Sequence, residues 1–521
     1  MPSADLILYN AKVYTLNRKK PKAQAIAIKG NKIAAVGSNA QILKLKTSKT
    51  NAIDLKGETV LSGFVDCHIH MRSYARTLEE IELRDVTSIR QLQQRLRQAT
   101  TKKPTNAWIT ARGFDEEKFR EKRLPTRLDL DKAVPEHPVF ITRVCGHLSV
   151  ANTKALKLAN ITKNTQSIEG GIVEKDPKTG EPTGILLENA QNLVTMIMPK
   201  PDEKELLRIY EKACGKAAEK GLTAVHCIID DQQDVSALYE LSRQNKLKLR
   251  VHLMIPVEYL NEIDKFAAIE NDKIKVGSIK IFADGSLGAH TAALHKPYTD
   301  DKTTKGILVY PQKKLEKLLF TVHEKGYQLA VHAIGDRAIE SVLSALEKAS
   351  SQKPKRDHRH RIEHASVLNK KLIRRMKKLG IIASVQPHFI VSDFWTVKRL
   401  GERRARLTYA LKSLVKNGVV ACGGSDCPIE PIDPLLSIWA AVARRSFPQE
   451  RLTVDEAIRM YTENAAFVSH EETVKGVIER GKLADLTVLA QDPYKIEADN
   501  IRDIKVDITI VDGEIVYARG Y

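Results

Sequence analysis

The sequence predicts an α/β protein: a distorted TIM (β/α)8 barrel with an inserted subdomain, plus a small β-sandwich domain made from both chain termini. Three observations predict it. The middle of the chain alternates β-branched runs with amphipathic helical stretches. Both ends are β-rich. One gap in the alternation is far too long for a single crossover between parallel strands.

Residues 4–62 hold the strand-like runs DLILYNAKVYTL and AIAIKGNKIAAVG, punctuated at Gly30-Asn31 and at Gly57. The far end matches them: ADLTVLAQDP and DITIVDGEIVYARG read as strands, with an Asp512-Gly513 hairpin signal. We therefore expect 1–62 and 470–521 to share one β-domain. Between them lie eight strand candidates, at 63–67, 221–227, 248–255, 276–283, 328–333, 360–364, 381–386 and 419–425. Helical stretches such as 311–326 and 336–350 separate most of them. Eight βα repeats are the count of a closed parallel barrel, here spanning about 63–465. The first interval forces an insertion near 72–200.

Composition narrows the class. The chain has 521 residues with a 42% hydrophobic fraction, ample for a sizeable core, and 28% charged residues, as in ordinary globular proteins. Lys and Arg number 84 and Asp and Glu 64, a net charge of 84 − 64 = +20. The positive residues are mostly interleaved with acids, as in RIYEKACGKAAEKG, so no basic stripe and no nucleic-acid partner is expected. Aromatics are 5%, too sparse to suggest a base-stacking surface. MPSADLILYNAKVY lacks the plan of a signal peptide, and no apolar run suits a membrane helix. The six cysteines form no CxxC pair. A reducing, cytoplasmic setting is the expectation, with a small-molecule substrate and a possible homodimer.

The strongest chemical feature is Asp66-Cys67-His68-Ile69-His70. Side chains alternate along an extended segment, so His68 and His70 point the same way, as two imidazoles on one cation must. The pair alone is weak evidence. Lys280, His332, His364 and Asp426 strengthen it, because each falls at or near the C-terminal end of a different expected strand, where barrel active sites are assembled.

The motifs GFVDCHIH (63–70), GGIVEKDPKTGEPTGILLENA (170–190), KIFADGSLGAHTA (280–292), LAVHAIGDRAI (329–339), RIEHAS (361–366), VQPHF (385–389), GGSDCPIEPIDPL (423–435) and GKLADLTVLAQDP (481–493) resemble, in order, those of the amidohydrolase superfamily. The likeness is to its amidohydrolase 3 branch, which includes N-substituted formamide deformylase-like metal-dependent hydrolases. The resemblance implies a binuclear centre holding two divalent metal ions, zinc being the first candidate. His68 and His70 would hold the buried metal, a carboxylated Lys280 would bridge, and His332 and His364 would hold the second metal. Asp426 would be both ligand and catalytic acid–base, and a metal-bridging hydroxide would hydrolyse a non-peptide carbon–nitrogen bond, amide or formamide. Arg112, His147, Asp284 and His290 are the expected substrate-binding residues.

The chain departs from the pattern in places. Ser62 and Cys67 stand where the family usually has Pro and Ser, and neither is a ligand. His290 stands where Arg often follows DGS, which puts the substrate anchor in doubt rather than the reaction. His388 is expected to be a pocket wall, His226 and His252 core or pocket lining, and Cys67, Cys145 and Cys427 packing residues. Two rivals remain: a single-metal deaminase-like hydrolase, disfavoured by Lys280, and a non-catalytic scaffold of the same fold, disfavoured by the complete ligand set.

Overall fold

The structure, a computed structural model, describes residues 3–101, 104–144, 146, 148–168, 171–199 and 201–520. They form two compact units, 1–72 with 210–521, and 73–209.

The larger unit contains the barrel sheet. Its strands are β1 (Phe64–Ile69), β2 (Leu222–Ile228), β3 (Arg250–Pro256), β4 (Ile274–Phe282), β5 (Gln328–Ala333), β6 (Arg361–His364), β7 (Ile382–Val385) and β8 (Ala421–Gly423). They lie side by side in sequence order, all parallel. Helices α1 (Gln232–Arg243), α2 (Gln312–Lys325), α3 (Asp336–Gln352) and α4 (Lys370–Leu379) connect successive strands; short α5 (Phe389–Ser392) follows β7 and α6 (Pro434–Val442) follows β8. The helix signals are local. Asn369 caps α4 by accepting from the Lys371 and Leu372 amides, the helix buries Leu372, Ile373 and Met376, and Gly380 ends it at φ 65°. The register slips where β2 meets β1 and where β3 meets β4, which distorts the barrel.

The sheet closes through the loop after β8. The Asp426 amide donates to the His68 carbonyl at 2.7 Å, and the His70 amide to the Cys427 carbonyl at 2.9 Å. Buried Asp66 reinforces this seam, its Oδ1 accepting from the His68 and Ser425 amides at 3.0 Å each.

Both chain ends contribute to the β-domain. One sheet has four strands, from residues between Leu6 and Asp54; the other joins N-terminal strands to Leu486–Leu489, Val506–Val511 and Glu514–Ala518. Leu486–Leu489 pairs antiparallel with Thr59–Ser62, which leads into β1. Alternate residues such as Leu6, Leu8, Ile26, Ile28, Val60 and Val488 form the common core. Asp512 (φ 59°) and Gly513 (φ 80°) make the hairpin the sequence signals, both left-handed as a type I′ turn requires. Arg250, at the start of β3, ties this domain to the barrel through Asp485 at 2.7 Å and Asp512 at 2.6 Å.

The smaller unit has a six-stranded mixed sheet and its own core, including Leu92, Leu96, Ile109, Phe114 and Ile141. No helix among the described residues is long and apolar enough to cross a membrane.

Candidate metal centre

Three groups converge at the barrel seam. His68 Nε2 lies 3.4 Å and His70 Nε2 3.3 Å from Asp426 Oδ1. His68, His70 and Asp426 each offer one ligand atom, all within 4.8 Å of one another. His68 is wholly buried, on a strand buried along its length, while His70 just beyond the strand is partly open. Asp426 sits at φ 56°, a strained backbone for a non-glycine residue. Its amide bond to His68 and the Cys427 amide bond to Ser425 Oγ at 3.0 Å hold it there.

The proton on His68 is fixed by a buried ion pair. Its Nδ1–H donates to Glu363 Oε2 at 2.5 Å. Arg361 grips Glu363 through Nε at 2.5 Å and Nη2 at 2.9 Å, and also donates to the Cys67 carbonyl and Ser384 Oγ. Burial opposes ionisation of Glu363, but Arg361 and His68 hold its pKa well below the usual carboxylate range. The carboxylate therefore fixes the ring with its Nδ1–H committed, leaving Nε2 facing the Asp426 carboxylate. Against burial and Lys280, which lower it, Asp426 and Glu363 raise the pKa of His68, so a proton on Nε2 can fill this gap and a divalent cation can take the proton's place.

The other two histidines are prepared in the same way. His364 Nδ1 donates to Gln386 Oε1 at 2.7 Å, which frees Nε2. His332 Nε2 donates to the Gly285 carbonyl at 3.0 Å, which frees Nδ1. Their ring centroids are 4.5 Å apart, and that of His364 is 4.8 Å from His68. Burial keeps both neutral, lowering His364 to about 3 and His332 well below its ordinary value. His364 and Ala365 adopt φ 71° and 43°, a second strained point at the rim.

Lys280 completes the group. It is 1% exposed, and its Nζ has no hydrogen-bond partner and lies 4.5 Å over the Phe282 ring. Burial lowers its pKa to about 8, against the attraction of Glu363 and Asp426. A buried amine without a partner costs on the order of 1–3 kcal/mol or more. His68 Nε2 is likewise buried and partnerless. Orphaned donor atoms beside an ionised carboxylate, in a set of imidazoles, fit a divalent cation.

Asp284 and His290, two of the residues expected to bind substrate, are both engaged within the chain. Asp284 is buried, and its carboxylate accepts from the amides of Ala293 (2.8 Å), Ile334 (3.0 Å) and Gly335 (2.8 Å). It clamps the segments flanking His332, with Oδ1 3.6 Å from His332 Nε2, and burial raises its pKa to about 7. His290 is committed to Arg399 and to Asp300 at 3.2 Å. Arg112 lies on a strand of the smaller unit, and His147 and Cys145 fall outside the described residues. His388 donates to Glu430. His226 is buried and His252 half-buried in the barrel, their ring centroids 4.5 Å apart, and Cys67 and Cys427 are buried.

Sequence reasoning assigned no role to Arg361, Glu363, Asp66 and Gln386. The available signal was two charges, in RIEH, inside a run otherwise suited to a strand.

A sequence profile of the amidohydrolase family matches residues 51–517. The putative amidohydrolase YtcJ of Bacillus subtilis is 35% identical, over 97% of this chain and 98% of its own. The N-substituted formamide deformylase of Arthrobacter pascens is 28% identical, over 99% and 98%. The crystal structure of a metal-dependent hydrolase from Pyrococcus furiosus superposes with a TM-score of 0.79 at 33% identity, covering 94% of this chain and all of that one.

Proposed function

This chain belongs to the amidohydrolase family, and from that premise we propose that it hydrolyses a non-peptide carbon–nitrogen bond at a centre of two divalent cations, zinc foremost. His68, His70 and Asp426 would hold one cation, His332 and His364 the other, with Lys280 between them. The observation that carries the reading is Lys280 Nζ, buried and partnerless beside these ligands. An ammonium would be repelled by two cations. With a pKa lowered to about 8, the amine is more readily neutral, and carbon dioxide adding to it yields a carbamate and one proton. The carbamate offers two anionic oxygens where the cationic amine offered none.

Bound cations supply Lewis acidity and bring the ionisation of water towards neutral pH. The chain's own residues do the rest. Burial disfavours ionised Asp426, but His68 and His70 hold its pKa well below the usual range, so it is a carboxylate at neutral pH. It can accept a proton from the attacking water and return it to the nitrogen as the bond opens, giving acid and amine. Glu363 and Arg361 keep His68 in one tautomer throughout. The formamide deformylase relative suggests N-formyl and N-acyl amides as the substrates to screen first.

A one-cation centre is the second reading, since His68, His70 and Asp426 alone form the compact ligand triple among the described residues. Metal analysis of wild type beside Lys280→Ala separates the two. We expect about two metals per chain, falling sharply in the variant; full occupancy without Lys280 ends the bridging role.

A further inference from the structure

A cavity of about 410 Å³ is lined in part by Ile390 and Val391 of α5. None of the six candidate ligands lines it. Phe389 stands between, its ring centroid 6.4 Å from His364 and 6.2 Å from Tyr409, which lines the cavity. The volume falls in the range of small-molecule pockets, about 300–1,000 Å³. Trp439, Phe447, Tyr409 and Ile390 give it apolar walls. Its lip is apolar too: Phe394 is 85% exposed and Val391 and Val397 41% each. Such a patch stays stable in water at a cost unless something covers it.

The charges of the lining are unbalanced. Arg444, Arg445 and Arg502 all contribute, against one carboxyl group, Asp393. Arg444 is 3% exposed; buried Glu450 attracts it without lining the cavity. It donates to the carbonyls of Thr408, Tyr409 and Ser446, which spends three of its five N–H groups. Burial lowers its pKa to about 10, so the cation persists at neutral pH. Arg502 lies over the Trp439 ring, 4.7 Å from its centroid. Asp499 and Asp503, at 3.7 Å from Arg445 and 3.8 Å from Arg502, make only loose pairs and do not line the cavity. Asp393 is half-buried, receives the Tyr409 hydroxyl, and desolvation raises its pKa to about 7, which weakens the one opposing charge.

We propose that this cavity is a second small-molecule site, distinct from the metal centre, and that it takes an amphipathic monoanion: a carboxylate on a medium-length apolar chain. The chain lies between Trp439, Ile390 and Phe447 under the Phe394 lip. The carboxylate faces the arginines, whose planar donors suit it. The site makes no demand on the reaction at the metals.

Isothermal titration calorimetry on the full chain tests it, with decanoate and decyltrimethylammonium as probes, on metal-loaded and chelator-treated protein alike. We expect decanoate to bind once per chain in both preparations and the cation not to bind. Ala443→Phe, which fills the cavity, should abolish binding. Arg445→Gln with Arg502→Gln, on the open rim, should weaken it about tenfold, the loss of one charge-assisted contact, and keeps the test valid if the filled variant fails to fold. Equal binding of the cation, survival of decanoate binding in the folded Ala443→Phe variant, or dependence on bound metal would each overturn the proposal. So would absence of decanoate binding together with a dimer that Phe394→Asp dissociates in sedimentation, which would make this face an interface between copies.

Discussion

Two histidine clusters sit at opposite ends of the barrel sheet, and their wiring differs. At the C-terminal ends of β1, β5 and β6, His68, His332 and His364 each donate through one ring nitrogen and leave the other free. At the N-terminal ends of β5 and β6, His323, His358 and His360 leave none. His323 bonds the Lys353 carbonyl at 2.7 Å and His360 at 2.8 Å. His360 accepts the Leu329 amide at 3.1 Å, and His358 bonds the Leu379 carbonyl and the His360 amide at 2.9 Å each. A fully satisfied histidine is part of the framework; one with a free, buried ring nitrogen beside a carboxylate offers the donor atom that the proposed centre needs. His226 and His252 show that free nitrogens alone are not enough, since they have no carboxylate within ion-pair reach among the described residues. It is the convergence on Asp426 that sets the first cluster apart.

The sharpest way to break this comparison is to remove the point of convergence. Asp426→Asn keeps the shape of the seam but loses the proton acceptor. We expect kcat on a cleaved amide to fall by about 10²–10⁴-fold, the usual worth of general acid–base catalysis, while the melting temperature changes little. An active Asp426→Asn variant would move the acid–base role elsewhere.

Next in size is Glu363→Gln. It takes the fixed carboxylate from His68 and strands the buried Arg361. Breaking one side of a buried pair costs about 3–5 kcal/mol, and loss of the orienting carboxylate weakens metal binding by about 10–100-fold. Urea unfolding and metal titration read the two separately. If affinity holds while stability falls, Glu363 serves the barrel core and not the ligand.

Asp284→Asn is a smaller test. The carboxylate accepts three amide protons, and an amide in its place presents N–H to at least one of them. A cost of about 1–3 kcal/mol in unfolding is expected, with KM nearly unchanged. A raised KM at unchanged stability would return Asp284 to the substrate.

Much of this was readable in the chain because its signals are local. Alternation places His68 and His70 on one face, β-branched runs mark the eight strands, and Asp512-Gly513 dictates its turn. What the sequence hid depends on closure. Arg361 and Glu363 read as surface charges until eight strands enclose them, and only then does Glu363 meet His68, 295 residues away. Asp284 hid for the same reason: DGS suggests an open loop, but its carboxylate folds back onto amides from two other segments. The mixed sheet of the smaller unit had no regular βα alternation to announce it.

The gentlest test acts on the satisfied cluster through pH. Burial lowers the pKa of His358 and His360 below the ordinary value near 6.5. The folded state therefore prefers both neutral, whereas the unfolded chain takes up protons as pH falls through about 6.5. Stability from this cluster is complete above that pH and declines below it, down to the folded-state pKa, by up to about 1.4 kcal/mol per pH unit for each histidine. His332 and His364 carry shifts of the same sign, so in metal-free protein they add to the slope. Bound metal competes with their protons and makes their part depend on metal concentration. Urea unfolding of metal-free protein between pH 5 and 8 should thus show a slope that His358→Gln lessens. Added zinc should stabilise the protein most at the upper end of that range. A slope unchanged by His358→Gln would mean that this residue is indifferent to its proton, and that its packing against His360 matters more than its hydrogen bonds.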